Sequence, residues 1–284
     1  MKVTFIMGVA HSGTTILHRL MGRHPDAAWF SQFSQRGGTI PGRTRFPFWG
    51  LYNRLARSIF GVPWKKQRGF TEYVIPRPME ANEIWNHLLP PEEQTDITRT
   101  NRFHGYEDRP DLRERIYEVI RLELRSWNRD HLLVKLPRLT EYTLLLARNI
   151  PDAQFIHLIR DGRAVALSNL HKFEREYSGT EALKESAGHW KDVVEWMDTE
   201  VRDQVERERF YQLGLEEFQS SPRELFEELL SFSGLSTINY PWPMPEIRED
   251  TNKKWRNRAT REQISSLEET LGEALEQTGY DSTW

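Results

Sequence analysis

The 284-residue chain has no cysteine, which excludes disulfide bridges, thiol catalysis and cysteine-ligated metals. It has no apolar run near the roughly 20 residues that a membrane-spanning helix needs. Its mean hydropathy of −0.69, with 38% hydrophobic residues, predicts a soluble protein with one substantial core, read as a single domain over residues 1–284. Nothing long enough for a signal peptide precedes the apolar segment that begins at Val3, so cytoplasmic residence is expected. Internal repeats and low-complexity tracts are absent too. Acidic residues are scarce in one place: from Arg36 to Arg77 nine cationic side chains stand against Glu72 alone, in a chain whose net charge is −3. Such a segment is expected to face an anion.

The most informative motif also lacks something. Residues 8–15 read Gly-Val-Ala-His-Ser-Gly-Thr-Thr, between the apolar run Val3–Met7 and the helically spaced Ile16-Leu17-His18-Arg19-Leu20-Met21. Strand, glycine-bounded turn and helix aim successive backbone N–H groups at an anion, and the helix dipole adds partial positive charge. The G-x-x-x-x-G spacing is that of a phosphate-binding loop, but Thr14 occupies the place of the lysine that grips a γ-phosphate. The hydroxyls of Thr14 and Thr15 can still donate, so the loop suits an anion with less charge to neutralise than a nucleoside triphosphate.

Two further segments carry matching chemistry. Asp152–Ser168 places an apolar strand before Arg160-Asp161-Gly162-Arg163, with Ser168 about two helical turns later. A guanidinium at such a corner binds phosphate bidentately and never loses its charge, and a helix hydroxyl adds a directional donor. An Arg160 salt-bridged to Asp161 is the structural alternative. Leu132–Leu136 is a short buried strand with Lys135 at its carboxyl end, the edge of an open α/β sheet where ligands bind. A solvated strand-end lysine is the ordinary reading of that residue.

Strands alternate with helices along the chain: strand 3–7, helix 13–22, a basic aromatic insert at about 29–77, helix 112–129, strand 132–135, helix 140–149, strand 153–159, helix 162–172, a long helical region 180–207 and a strand at 209–213. The order predicts an α/β fold with a parallel sheet covered by helices on both faces. Ser221-Pro222-Arg223-Glu224 and Thr260-Arg261-Glu262-Gln263 read as capped helix starts.

In combination these segments resemble the sulfotransferase family, whose loop typically reads [RK]-[ST]-G-T-T where this chain has His11-Ser12-Gly13-Thr14-Thr15, with His24-Pro25 following. The resemblance implies a three-layer, P-loop-like fold and transfer of a sulfuryl group from 3′-phosphoadenosine 5′-phosphosulfate (PAPS) to an acceptor hydroxyl, with no metal required. It implies that Ser12, Gly13, Thr14 and Thr15 hold the donor, that Lys135 reaches its sulfuryl end, and that Arg160 and Ser168 bind its 3′-phosphate. Lys254-Trp255-Arg256, before a last helix ending in Gly279-Tyr280, resembles the family's closing loop and adds Lys254 and Arg256 as donor-binding candidates. Surface charge is the alternative for both.

The chain departs from the family at three points. His11 replaces an obligate cation with an imidazole whose ordinary pKa is about 6.5. It is expected either to be kept protonated by phosphate and donate to the leaving oxygen, the favoured expectation, or to stay neutral while Lys135 supplies the charge. Pro137 stands where some relatives carry the histidine base. Arg77-Pro78-Met79-Glu80-Ala81-Asn82-Glu83 resembles a segment of bacterial relatives, which makes Glu80 the first choice for the base and Glu83 the second, against solvated carboxylates as the alternative. Leu215 stands where the family often has a tyrosine before its acidic pair.

The insert carries Phe46, Phe48, Trp49, Leu51, Tyr52, Leu55, Ile59, Phe60 and Trp64 with Arg54 and Arg57. As a helix, Phe48, Leu51, Tyr52, Leu55 and Ile59 share a face. That face is expected to pack on the core as a lid. The sharper alternative is an acceptor platform for a sugar or lipid-linked glycan, whose arginines meet head groups at a membrane surface. The partner is then a small-molecule or glycan acceptor; no nucleic acid is expected. A P-loop kinase and a non-catalytic anion- or glycan-binding module are the rival functions.

Overall fold

A computed structural model describes residues 1–34, 48–63, 70–88, 110–135, 140, 142–245, 247 and 255–280. Among these residues five strands, β1 (Lys2–Met7), β2 (Ala27–Trp29), β3 (His131–Lys135), β4 (Ala153–Ile159) and β5 (Phe210–Gly214), form one sheet in the order β2-β3-β1-β4-β5. Every pairing is parallel, with Phe5 beside Val134 on one side and Phe155 on the other. The chain leaves β1 toward β2, returns through β3 and crosses over β1 to reach β4. The carboxyl ends of β1, β3 and β4 therefore flank the reversal of strand order, where a crevice opens in such sheets.

Alternation along β1 separates the two faces of the sheet. Val3, Phe5 and Met7 join one buried cluster with Trp85, Phe155 and Trp190, while Ile6 joins the other with Leu17, Leu133, Leu158 and Phe226. The first cluster is closed by α4 (Asn82–Leu88), α5 (Pro110–Trp127), α6 (Thr143–Asn149), α7 (Gly162–Phe173), α8 (Gly179–Trp196) and α12 (Arg261–Gln277). The second is closed by α1 (Thr14–Gly22), α10 (Leu215–Ser220) and α11 (Pro222–Phe232). The result is the expected three-layer α/β arrangement.

Local departures from the sequence expectations have physical causes. β2 is three residues long, too short to show a period, and lies in what reads as the start of the insert. The region 180–207 does not stay one helix: a π-helical turn, Met197–Val201, separates α8 from α9 (Arg202–Gln204). Thr260 forms the full capping box with Gln263. Ser221 does not cap α11, because its backbone at φ −131° and ψ 58° leaves the hydroxyl without a helical N–H to accept from.

The insert holds α2 (Trp49–Phe60) and α3 (Phe70–Val74). Phe46 and Trp64 lie outside the described residues. On α2 it is Trp49, Asn53 and Ala56 that are buried. Phe48, Leu51, Leu55 and Ile59 are exposed, Ile59 by 72%, so the apolar face does not close onto the core as a lid. Arg54 and Arg57 point inward instead. Arg54 donates to the Ser126 carbonyl. Arg57 donates to the carbonyls of Ala27 (2.6 Å), His24 (2.5 Å) and Gly22 (3.2 Å) and lies over the rings of Trp29 and Trp127. Arg57 in particular is committed to backbone oxygen by three bonds.

Candidate active site

The loop after β1 takes a conformation that only its glycines accept at two places. At Gly8, with φ +146°, an added Cβ would come within 2.3 Å of the Leu158 carbonyl oxygen on β4. At Gly13, with φ +93°, it would meet Leu215 Cδ1 at 2.9 Å. Between them His11 holds a left-handed backbone at φ +73°, uncommon for a residue with a Cβ. The Gly13 carbonyl then accepts from the N–H groups of Ile16 (2.9 Å) and Leu17 (3.3 Å), which starts α1.

Neighbouring elements tie the loop down. Gly8 N–H donates to Thr140 Oγ1 (3.2 Å), and the Thr140 hydroxyl donates back to the Gly8 carbonyl (3.3 Å). The Ala10 carbonyl accepts from Asn169 Nδ2 (2.9 Å) and the His11 carbonyl from Arg160 Nη1 (2.8 Å). Residues some 150 positions apart in the chain are thereby brought to one corner, as the sequence reading requires.

A cavity of about 480 Å³ opens here, lined by Ala10, His11, Gly13, Thr14, Thr15, Ile16, Glu80, Lys135, Arg160, Lys172 and Leu215. It has two chemically distinct ends. At one, Lys135 Nζ pairs with Glu80 Oε1 at 2.7 Å and donates to Thr15 Oγ1 at 2.6 Å. Glu80 reaches this end because Met79 N–H donates to the Phe30 carbonyl (2.8 Å) and Arg77 N–H to Gln32 Oε1 (3.1 Å). Ala81, buried at φ +56°, then turns the chain into α4. Asn82 Nδ2 donates to the second Glu80 oxygen at 3.3 Å.

His11, Arg160 and Lys172 line the rest of the cavity, with Lys172, Arg160 and Lys135 all close enough to act on the imidazole. Asp161 is engaged by Arg163, whose Nε and Nη2 each lie 2.9 Å from a carboxylate oxygen, and it caps α7 by accepting from Arg163 N–H. Glu216 braces the same corner: Oε1 accepts Asp161 N–H at 3.3 Å and Oε2 accepts the Tyr280 hydroxyl at 2.6 Å. Tyr280, from the Gly-Tyr pair that follows α12, thus reaches this corner through Glu216.

Burial and like charge shape the titrations. His11 is pushed below its ordinary pKa, first by burial and then by Lys172, His171, Arg160 and Lys135. Both influences favour the neutral imidazole, so protonation of His11 calls for an anion beside it. Burial lowers Lys135 against the opposing pull of Glu80. Burial also lowers Arg160 against Glu216, Asp161 and Tyr280. His18, packed behind Lys135, is depressed to about 3 mainly by burial and is a neutral core histidine.

Several expected residues stand elsewhere. Ser168 does not line the cavity, and its hydroxyl donates to the Ala164 carbonyl of its own helix at 2.7 Å. Glu83 is exposed in the first turn of α4, turned away because the left-handed Ala81 redirects the chain just after Glu80. Arg256 sits over the Trp255 ring at 5.5 Å and is not a cavity residue. Lys254 lies outside the described residues. Ser12 is 1% exposed, behind the cavity wall, and its Oγ has no hydrogen-bond partner among the described residues. Lys172, Asn169 and Thr140 were missed. Lys172 follows Ser168 by four residues, one turn along the same helix face, and that spacing was the available signal.

A family model described as "Sulfotransferase family" matches residues 4–239. The chain belongs to this family. It is a sulfotransferase enzyme, which sets aside the kinase and the non-catalytic module. Two curated relatives, the omega-hydroxy-beta-dihydromenaquinone-9 sulfotransferases Stf3 of Mycobacterium bovis and Mycobacterium tuberculosis, are each 24% identical over 308 residues, covering 98% of this chain and 75% of the relative. The fold is similar to that of sulfotransferase STF9 from Mycobacterium avium, with a TM-score of 0.59 at 13% identity over 99% of this chain and 77% of that one. It is also similar to the sulfotransferase domain of the Synechococcus PCC 7002 olefin synthase, with a TM-score of 0.53 at 14% identity over 99% of this chain and 95% of that domain.

Proposed function

We propose that this sulfotransferase takes its sulfuryl group from PAPS and passes it to a hydroxyl of a small-molecule acceptor, releasing 3′,5′-phosphoadenosine. One observation carries the reading: the loop after β1, Lys135 at the end of β3 and Arg160 at the end of β4 line a single cavity at the reversal of strand order. The two ends suit a donor with an anion at each tip. The backbone of Gly13–Thr15 and the ammonium of Lys135 receive the phosphosulfate, and Arg160, with Ser168 after rotation of its hydroxyl, receives the 3′-phosphate. The orphaned Ser12 Oγ fits a ligand-binding loop, since a buried hydroxyl without a partner is a cost that a bound anion can remove.

Transfer proceeds by in-line displacement. The acceptor oxygen forms a bond to sulfur as the bond from sulfur to the donor's bridging oxygen breaks, and the acceptor proton passes to Glu80. Lys135 and the loop N–H groups stabilise the charge that develops on the leaving phosphate, the electrostatic contribution that usually dominates such steps. Glu80 and Lys135 form a contact pair, so base and counter-charge are held at one end of the cavity. His11 gains its proton only when an anion offsets the cations around it. Leu215 gives the nucleotide an apolar wall.

The Stf3 relatives are named for a hydroxylated menaquinone, which supports an acceptor hydroxyl on a lipid or glycolipid. The cytoplasm is the compartment in which PAPS would be met. The experiment is a thermal-shift comparison: 3′,5′-phosphoadenosine should raise the melting temperature and ADP should not, because only a ligand of the folded state stabilises it. Equal shifts, or none with 3′,5′-phosphoadenosine, would remove PAPS as the donor. Sulfation of a neutral phenol in preference to a long-chain or glycosylated alcohol would remove the lipid acceptor.

A further inference from the structure

We infer that Lys172, on α7, is the second fixed cation for the donor's 3′-phosphate, acting with Arg160 and setting the enzyme's preference for a 3′-phosphorylated nucleotide. The inference rests on the proposed donor. It starts from an absence: residues 8–15 contain no lysine or arginine, so the loop brings no permanent charge to either end of the cavity. At the Thr15 end that lack is met by Lys135, which is itself shared with Glu80. At the His11 end the loop offers an imidazole beside His171, with ring centres 6.3 Å apart. Burial and the neighbouring cations favour the neutral form of that imidazole. A phosphate monoester carries about −1.5 to −2 at pH 7, more than Arg160 alone balances.

Lys172 is placed for the task. It is exposed, lines the same cavity as His11 and Arg160, and extends from the helix that starts just after Arg160. Its Nζ donates to Asn169 Oδ1 at 2.7 Å, and Asn169 Nδ2 donates to the Ala10 carbonyl at 2.9 Å. One amide therefore fixes the ammonium relative to the loop, as the Arg160 to His11 carbonyl bond fixes the guanidinium. An ammonium carries a full charge and three N–H donors, and the Asn169 bond holds it at the cavity wall. Ser168, by contrast, donates into its own helix. The anion at this end is thus met by charge from one turn further along α7.

The test measures Kd for 3′,5′-phosphoadenosine and for 5′-AMP on the wild-type chain, Lys172→Met and Ser168→Ala, with melting temperatures to verify folding. Wild type should prefer 3′,5′-phosphoadenosine; if it does not, the PAPS reading fails and the role of Lys172 falls with it. Given that preference, Lys172→Met should weaken 3′,5′-phosphoadenosine about tenfold or more and leave 5′-AMP within about twofold. Ser168→Ala should cost less than Lys172→Met, and Lys172→Arg should retain most of the preference. Loss of both ligands equally in Lys172→Met would mean that the lysine only braces the loop. That result, no loss at all, or a larger loss in Ser168→Ala would overturn the inference while leaving the donor assignment standing.

Discussion

The cavity and α2 use their cations in opposite ways. The insert that carries α2 is the most basic stretch of the chain, yet Arg54 and Arg57 are turned inward onto backbone carbonyls and the helix shows its apolar side to solvent. The cavity draws Lys135, Arg160 and Lys172 from three segments that are not notably basic, and sets them along its wall. Density of charge in the sequence therefore does not mark the place where charge is available. A guanidinium that donates to three backbone carbonyls is part of the packing of the chain, whereas Lys172 is held at a cavity wall by the Asn169 amide. Arg57 shows what that packing costs: burial pulls its pKa down to about 10.

Substitutions at the cavity should break the comparison most visibly. Glu80→Gln keeps the hydrogen bond toward Lys135 but cannot take a proton, so kcat should fall by about 10²–10⁴-fold with little change in KM for PAPS; steady-state kinetics check this, and an unchanged kcat would remove Glu80 as the base. Lys135→Met should lower kcat by about 10²–10³-fold through lost stabilisation of the leaving phosphate. An undiminished rate there would return Lys135 to an ordinary strand-end residue.

At α2 the same class of change should act on folding instead. Arg57→Ala removes charged bonds to three carbonyls and leaves those acceptors partly buried, so urea denaturation should show a loss of about 2–3 kcal/mol while turnover per folded molecule stays at the wild-type value. A fall in kcat without loss of stability would show that α2 serves the reaction directly.

Acid should weaken both regions together. His131 and His157 are lowered to about 4 and His18 to about 3, in each case chiefly by burial. In the unfolded chain a histidine titrates near 6.5, so between about pH 6.5 and 4 the unfolded state binds more protons. Stability is then complete above that window and declines as pH falls through it. Melting temperature against pH checks this, and His157→Gln should flatten the decline. The smallest effect belongs to the outward face of α2: Leu55→Ser with Ile59→Ser should change stability by no more than about 0.5 kcal/mol, since these side chains are 55% and 72% exposed.

Much of the frame was legible because local patterns dictate it. The apolar runs at β1, β3 and β4, the glycines at 8 and 13, and the Thr260 capping box each specify backbone geometry from a few adjacent residues. Their parallel order follows from alternation with helices. Glu80 and Arg160 were recognised by residue type and place, and they line the cavity as expected. Lys172 was not: its spacing from Ser168 gives a shared helix face, but not which turn of that face meets a loop some 160 residues earlier. Ser168 and Lys172 share a helix face, and only the packing of α7 against Ala10 separates the residue that bonds its own helix from the one that reaches the cavity.

The sequence by itself determined a cysteine-free α/β chain with a loop suited to an anion, and a lysine and an arginine at strand ends. Tertiary structure alone decided that Lys135 would meet Glu80, that His11 would be buried among cations, and that the arginines of α2 would point inward. The physical reason is range. Backbone conformation and hydrophobic period are settled within a few residues, whereas the charge state and availability of a side chain depend on burial and on partners that the fold brings from far along the chain.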